Sequence, residues 1–381
     1  MPFSLYVHIP YCLVKCPYCD FNAYGVREWP EAQYIDALGA ELRHYAAQAP
    51  WQGETVETIY FGGGTPSLFT PSSIGRFLHL VADVFPLAPH PEVTLEADPA
   101  SVTPDTLAGF REVGVTRLSF GVQSFQDHLL KTLGRLHTAA DGLRVLAWAR
   151  AAQFSRINMD LIFGVPGQTL ASLEDDLSQA FACAPDHISL YNLTYEEGTP
   201  FFTKKKKGQL QPVDEDEEVA MYTLIRERCL TQGYRHYEIS NFALPGCASR
   251  HNSNYWKGGS YLGLGAGAHS FVPTPGWGRR WSNERKPKTY ITQALANGQT
   301  RSFDETLTRV QARGEFLFLH LRQLAGLEFD VFVNRFGADL TDEFPHVRDL
   351  AAEGLLSEDS QRIALTPKGL LIADSIFASF F

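Results

Sequence analysis

Six short runs of β-forming residues, each followed by a segment with helical spacing, constrain this chain more than any other feature. The runs are Leu5 to Ile9, Val56 to Phe61, Val93 to Ala97, Arg117 to Val122, Ile157 to Phe163 and His187 to Leu193. Between them lie amphipathic segments such as the one carrying Leu170, Leu173, Leu177 and Phe181, whose spacing aligns one apolar stripe along a helix. Strand, crossover helix and next strand wind right-handed almost without exception, so repeated βα units predict a parallel sheet under a layer of helices. Six units are fewer than a closed eightfold barrel needs. The expectation is therefore α/β, an open, partial TIM-like (β/α)6 barrel whose working edge is the C-terminal ends of its strands. Polar and glycine-rich stretches sit at that edge: Phe61 to Pro66, Glu96 to Pro99, Gly121 to Ser124 and Phe163 to Gly167 each follow directly from a strand.

The 381 residues suffice for one barrel-sized core and a smaller second one. The reading divides them into a barrel at 1–200, a barrel extension at 201–300 and a C-terminal domain at 301–381. The extension carries a Lys204 to Lys207 run, an acidic run at Asp214 to Glu218 and a glycine-rich segment, Gly258 to Gly267. The charged runs read as a solvated loop and a helix start. From Glu305 onward three short helices precede a hairpin around Glu358 to Gln361, an order that predicts a winged-helix-like α+β domain. Its would-be DNA-reading stretch, Asp342 to Glu353, is rich in acids, and the chain carries a formal net charge of −10. A phosphate backbone demands clustered Lys and Arg, so no nucleic acid is expected as a partner and the domain is read as packing against the barrel or closing its bottom. Met1 to Pro10 lacks a basic start and an apolar stretch, and nowhere do about 18 uncharged apolar residues run together. A cytoplasmic protein is expected.

Of six cysteines, Cys12, Cys16 and Cys19 fall together with C-x3-C-x2-C spacing, on the loop after the first strand. Cys183, Cys229 and Cys247 lie singly and read as small hydrophobes. Structural zinc takes four closing ligands, and ferredoxin runs supply a fourth thiolate, so neither pattern fits the triplet. Three thiolates on a four-iron cluster leave one iron free to chelate a small molecule through an amine and a carboxylate.

The segment Tyr6 to Cys12, followed by Cys16-Pro-Tyr-Cys19, resembles the signature of the radical S-adenosylmethionine (SAM) superfamily. That resemblance implies a [4Fe-4S] cluster on Cys12, Cys16 and Cys19, with SAM on the open iron and cleaved by one electron to a 5′-deoxyadenosyl radical. It implies SAM contacts from Gly63, Gly64 and Thr65, in the Gly62 to Pro66 run, and from Glu96, Gln123, Arg135 and Asp160. Tyr6, Tyr18 and Thr194 match positions lining the cofactor in the porphyrin-handling branch. The residue types suit such contacts, since a carboxylate accepts from ribose hydroxyls, an amide does either, and Arg forks onto a carboxylate.

Within that branch, the spacing of Gln123, Arg135 and Asp160 and the segment Ser189 to Pro200 are similar to the oxygen-independent coproporphyrinogen III oxidases and to the related HemW haem chaperones. The oxidases carry a further cysteine where this chain has Phe21, and an N-terminal extension before the residue matching Tyr6. His251 to Trp256 matches the H-N-x-x-Y-W motif of the HemW family. The resemblance therefore implies a haem chaperone without coproporphyrinogen oxidase activity, its cargo haem and its partners acceptor haem proteins such as membrane respiratory enzymes. The alternative is a radical enzyme on coproporphyrinogen III or another tetrapyrrole. Under the first reading His251 offers an imidazole to haem iron, with Tyr255 and Trp256 as flat apolar surface; the competing reading of His251 is a loop hydrogen bond. His8 and His269 are not assigned as haem ligands. No motif decides for or against a homodimer.

Overall fold

The computed structural model describes residues 2–381. Strands β1 (Phe3–Ile9), β2 (Val56–Gly63), β3 (Leu87–Ala97), β4 (Arg117–Gln123), β5 (Ile157–Phe163) and β6 (His187–Asn192) lie side by side in chain order. Every neighbouring pair is parallel, as the βα alternation predicts. A seventh parallel strand, β7 (Tyr261–Leu264), pairs with the other side of β1. Antiparallel strands extend both edges: His269–Val272, Arg279–Asn283 and Arg301–Thr306 beyond β7, and Asn241–Ala243 and Arg235–Glu238 beyond β6. The result is an open twelve-stranded sheet. Sequence periodicity misses β7 because it lies in the glycine-rich stretch Gly258 to Gly267, where the sequence reading assigns no strand. Glycine is needed there for packing, because a Cβ on Gly263 would collide with the His269 carbonyl oxygen.

Side chains alternate in the parallel strands, and the two faces differ in kind. Leu5, Val7, Ile59, Phe61, Leu95, Leu118, Phe120, Ile157, Met159, Ile188 and Leu190 are buried on the outer face. Helices cover them with Ile35, Leu38, Phe77, Phe110, Leu146, Leu173 and Leu177. Thr103, Thr138 and Thr169 start three of these helices with capping boxes, which satisfy exposed N–H groups where each loop turns back. The inner face is polar. Register places Tyr6, Tyr60, Thr94 and Arg117 in one row, Glu96, Ser119, Asn158 and His187 in the next, and Gly121, Asp160 and Ser189 above. Closed (β/α)8 barrels fill this space with branched aliphatic layers. Here the core lies between sheet and helices, and the barrel centre is a cavity.

The strand Arg301–Thr306 stays with the main sheet, and a second core takes up at Leu307 with Leu317, Phe332, Val347, Ile363 and Ile376. Glu305 lies in that strand, so the helices begin later than the sequence reading places them, at Arg309. Four rather than three precede the hairpin: Arg309–Leu321, Phe329–Phe336, Leu340–Glu343 and Val347–Ala352. Leu356–Glu358 and Arg362–Leu365 form the hairpin, joined by Leu327–Glu328 into a three-stranded winged-helix-like sheet. No described helix is long and apolar enough to cross a membrane.

One buried acid ties the first helix, Glu31–Ala46, to the far flank of the sheet. The Glu41 carboxylate accepts from Tyr290 OH at 2.6 Å, Thr300 Oγ1 at 2.6 Å, Asn283 Nδ2 at 2.7 Å and the Gly265 N–H at 3.0 Å. Burial pushes its carboxyl up to about 7. Glu41→Ala strands four buried donors at about 1–3 kcal/mol each before relaxation. The midpoint of urea unfolding should fall well below the wild-type value, and an unchanged midpoint would contradict this role.

Candidate functional site

Beyond β1 the chain passes Pro10 into a two-residue bridge, Tyr11–Cys12 against Tyr24–Gly25, which pinches off the loop holding Cys16 and Cys19. The Cys19 N–H closes a turn onto the Cys16 carbonyl at 3.1 Å. Thr65 Oγ1 donates to Cys12 Sγ at 3.4 Å, and Arg135 Nη1 to Cys16 Sγ at 3.5 Å. Burial pushes the Cys12 thiol up to about 11 and the Cys19 thiol upward too. Without metal these thiols keep their protons, so loading must displace them. The three cysteines line one wall of a cavity of about 750 Å³. Among the described residues no group of three or more His, Cys, Asp or Glu is placed to hold a single metal ion.

Each neighbouring βα loop adds a constrained residue to the same cavity. Gly63 has φ +116°, and a Cβ there would sit 2.5 Å from the His8 ring; one on Gly64 would meet the Tyr11 carbonyl at 2.7 Å. These glycines bring backbone flush with the cavity. Gly63 N–H donates to Glu96 Oε2 at 3.1 Å, and Tyr60 OH to Oε1 at 2.8 Å. Burial, reinforced by the nearby Asp160 charge, pushes Glu96 up to about 7. A bulge between Gly121 and Gln123 puts Gln123 at φ +68°, a strained conformation for a side-chain-bearing residue and one that aims it into the cavity. Arg135 Nη2 spans Asp98 Oδ2 at 2.5 Å and the Gly121 carbonyl at 2.9 Å. Asp160 accepts from Asn158 Nδ2 at 2.7 Å and Ser119 Oγ at 3.0 Å, and burial raises its carboxyl. Tyr18 and Thr194 line the rim.

Twelve expected residues, Cys12, Cys16, Tyr18, Cys19, Gly63, Gly64, Thr65, Glu96, Gln123, Arg135, Asp160 and Thr194, thus surround one cavity. Two do not. Tyr6, though on the inner face of the sheet, does not line the cavity, its hydroxyl on His8 Nδ1 at 3.0 Å and its ring stacked on Tyr60. His251, expected as an imidazole for haem iron, is buried with both ring nitrogens occupied: Nδ1 by Thr58 Oγ1 at 2.7 Å and Nε2 by Tyr255 OH at 2.8 Å. Both nitrogens are engaged within the fold here; the motif's helix, Arg250–Trp256, forms part of the barrel floor. Sequence reasoning passed over Tyr60, Thr94, Arg117, Asn158, His187 and Tyr191, which line the interior. Their signal was the polar residue at every second position of the β runs.

Residues 6–180 match the radical SAM superfamily, and residues 307–372 match the HemN C-terminal domain. The chain is 36% identical to the heme chaperone HemW of Bacillus subtilis (strain 168), over 99% of this chain and 98% of that protein. It is also 36% identical to the heme chaperone HemW of Escherichia coli (strain K12), over 100% and 98%. The chain belongs to the HemW family. It is further 38% identical to the mouse mitochondrial radical S-adenosyl methionine domain-containing protein 1, over 98% of this chain and 86% of that protein. The solved coproporphyrinogen III oxidase (HemN) of Escherichia coli, a radical SAM enzyme, aligns with a TM-score of 0.85 at 26% identity, covering 100% of this chain and 90% of that one. The partial barrel is the radical SAM fold, and the superfamily implies a [4Fe-4S] cluster and SAM.

Glu96 and Glu41 both titrate near 7, above their unfolded values. Each therefore contributes stability that is complete below about pH 4.5 and lost as pH rises through 7. Infrared titration should show buried protonated-carboxyl intensity falling between about pH 6 and 8, with Glu96→Gln removing only its share. A Glu96→Gln spectrum identical to wild type would contradict the assignment.

Proposed function

We propose that the chain is a haem chaperone that holds a [4Fe-4S] cluster on Cys12, Cys16 and Cys19, binds SAM in the adjoining cavity, and passes haem to acceptor haem proteins, membrane respiratory enzymes among them. The observation that carries the cofactor reading is the donor set: three thiols, and only three among the described cysteines, on the wall of a cavity whose other lining groups suit SAM. Cys183 caps a helix, Cys229 is buried in another, and Cys247 sits beside Arg156; none lines this cavity. The donor set fits a cluster with one open iron, and such a cluster supplies single electrons and a coordination position for an amino acid's amine and carboxylate.

The chain's own residues do the positioning. Arg135, anchored on Asp98, sets a positive charge beside Cys16. Gly63, Gly64 and Thr65 offer close backbone approach to the amino-acid end of SAM. Glu96 and Asp160 present carboxylates to hydroxyl groups, and Gln123 an amide at a fixed angle. The haem reading rests on the names of the relatives and on Phe21, which is 64% exposed where the oxidases carry a cysteine. The second reading, a radical enzyme on coproporphyrinogen III or another tetrapyrrole, draws on the likeness to the HemN oxidase.

Cys16→Ala, reconstituted anaerobically with iron and sulfide, should lose most of the roughly four irons per chain expected of such a cluster; full assembly would remove Cys16 as a ligand. Reconstituted protein given SAM, reductant and coproporphyrinogen III should bind added haem and form no vinyl-bearing product. Product formation would replace the chaperone reading with the enzyme reading. His251→Ala should keep haem binding within about twofold, and its loss would restore His251 as a ligand.

A further inference from the structure

The cavity does not end beneath the proposed SAM space. It continues down the barrel axis to a floor made by Ser249 and Asn252, the edge residues Ile239 and Ser240, and Arg322 from the C-terminal domain. Arg117, on β4, lines this lower part while only 2% exposed. Its guanidinium donates to the Cys247 carbonyl at 3.0 Å, and among the described residues no carboxylate lies within ion-pair distance of it. Asp160 feels the Arg117 charge without pairing with it, and its carboxylate already accepts from Asn158 and Ser119. A buried cation held by one neutral carbonyl is costly to maintain unless an anion completes its surroundings.

Other groups at this level point the same way. Thr94, beside Arg117 in the register and fully buried, has a hydroxyl without a partner. Arg322 stacks on Trp256 at 4.6 Å, lies 3.9 Å from Glu238 and leaves its Nε unpaired. Ser249 and Asn252 bring a hydroxyl and an amide, and Asn252 is the member of the H-N-x-x-Y-W motif that faces the cavity where His251 does not. Two guanidinium groups, hydroxyls and an amide around enclosed space match the geometry and charge of a carboxylate.

We propose that the lower barrel is a second ligand site, separate from the cluster and SAM, which takes a small organic carboxylate with its charge on Arg117 and its remaining oxygens toward Thr94, Asn252 and Arg322. The site makes the motif helix a ligand-binding floor and couples it to the C-terminal domain through Arg322.

The test uses the reconstituted full chain saturated with SAM, probed with succinate, propionate and inorganic phosphate by calorimetry and thermal shift. Succinate or propionate should bind saturably. Arg117→Met should weaken that binding at least tenfold, Arg117→Lys should retain part of it, and Asn252→Leu should weaken it without touching the charge. Haem binding and iron content should stay at wild-type levels in Arg117→Met and Asn252→Leu, which separates this site from the chaperone reading. If Arg117→Met does not fold, Asn252→Leu alone decides. No saturable carboxylate binding to wild type, binding of phosphate only, or equal carboxylate affinity in the variants would overturn the proposal.

Discussion

The rest of the structure follows from the polarity of the inner face of the parallel sheet. Glu96, Arg117, Asn158, Asp160 and His187 cannot interdigitate as a dry core, because burying such groups without partners costs more than dispersion returns. The sheet therefore stays open, its apolar outer face takes the helices, and the centre remains a lined cavity. Stability is carried between sheet and helices and in the separate C-terminal core, which leaves the interior free to be shaped by chemistry.

Local conformation then delivers function to the cavity's upper rim. Gly63 and Gly64 admit backbone where any Cβ would collide, and the bulge at Gly121 holds Gln123 at a positive φ. Arg135 touches Cys16, Asp98 and the Gly121 carbonyl, so one side chain joins the cysteine loop to two strand ends. The loop itself is held by the bridge at Tyr11–Cys12 and by Thr65 on Cys12. Displacing any of these would shift several others, which is how an open barrel keeps loop-borne ligands in fixed relation.

Much of this was legible in the chain. The six β runs are the six parallel strands, Ile157–Phe163 to the residue, because parallel strands buried by helices carry strong β-branched and aromatic runs. Of the rim residues, the cysteine triplet and the glycine run were readable as short-range patterns, while Tyr18, Glu96, Gln123, Arg135, Asp160 and Thr194 came only through the family resemblance. What escaped depends on long-range partners. β7 is a strand only because it pairs with β1, and the antiparallel flanks are short. The lower interior, Thr94, Arg117 and His187, was visible only as polar alternation, and nothing local says which face is enclosed. The surroundings of His251 were hidden for the same reason: Thr58, far away in sequence, hydrogen-bonds its Nδ1.

The account stands or falls on an iron left open at the Cys12, Cys16 and Cys19 loop. The direct measurement is electron paramagnetic resonance of the reconstituted, dithionite-reduced protein before and after SAM, repeated with SAM carrying 17O in its carboxylate. The account expects the spectrum to change with SAM and hyperfine coupling from the labelled oxygen to appear. A reduced cluster whose spectrum ignores SAM, with no coupling to the label, would contradict it.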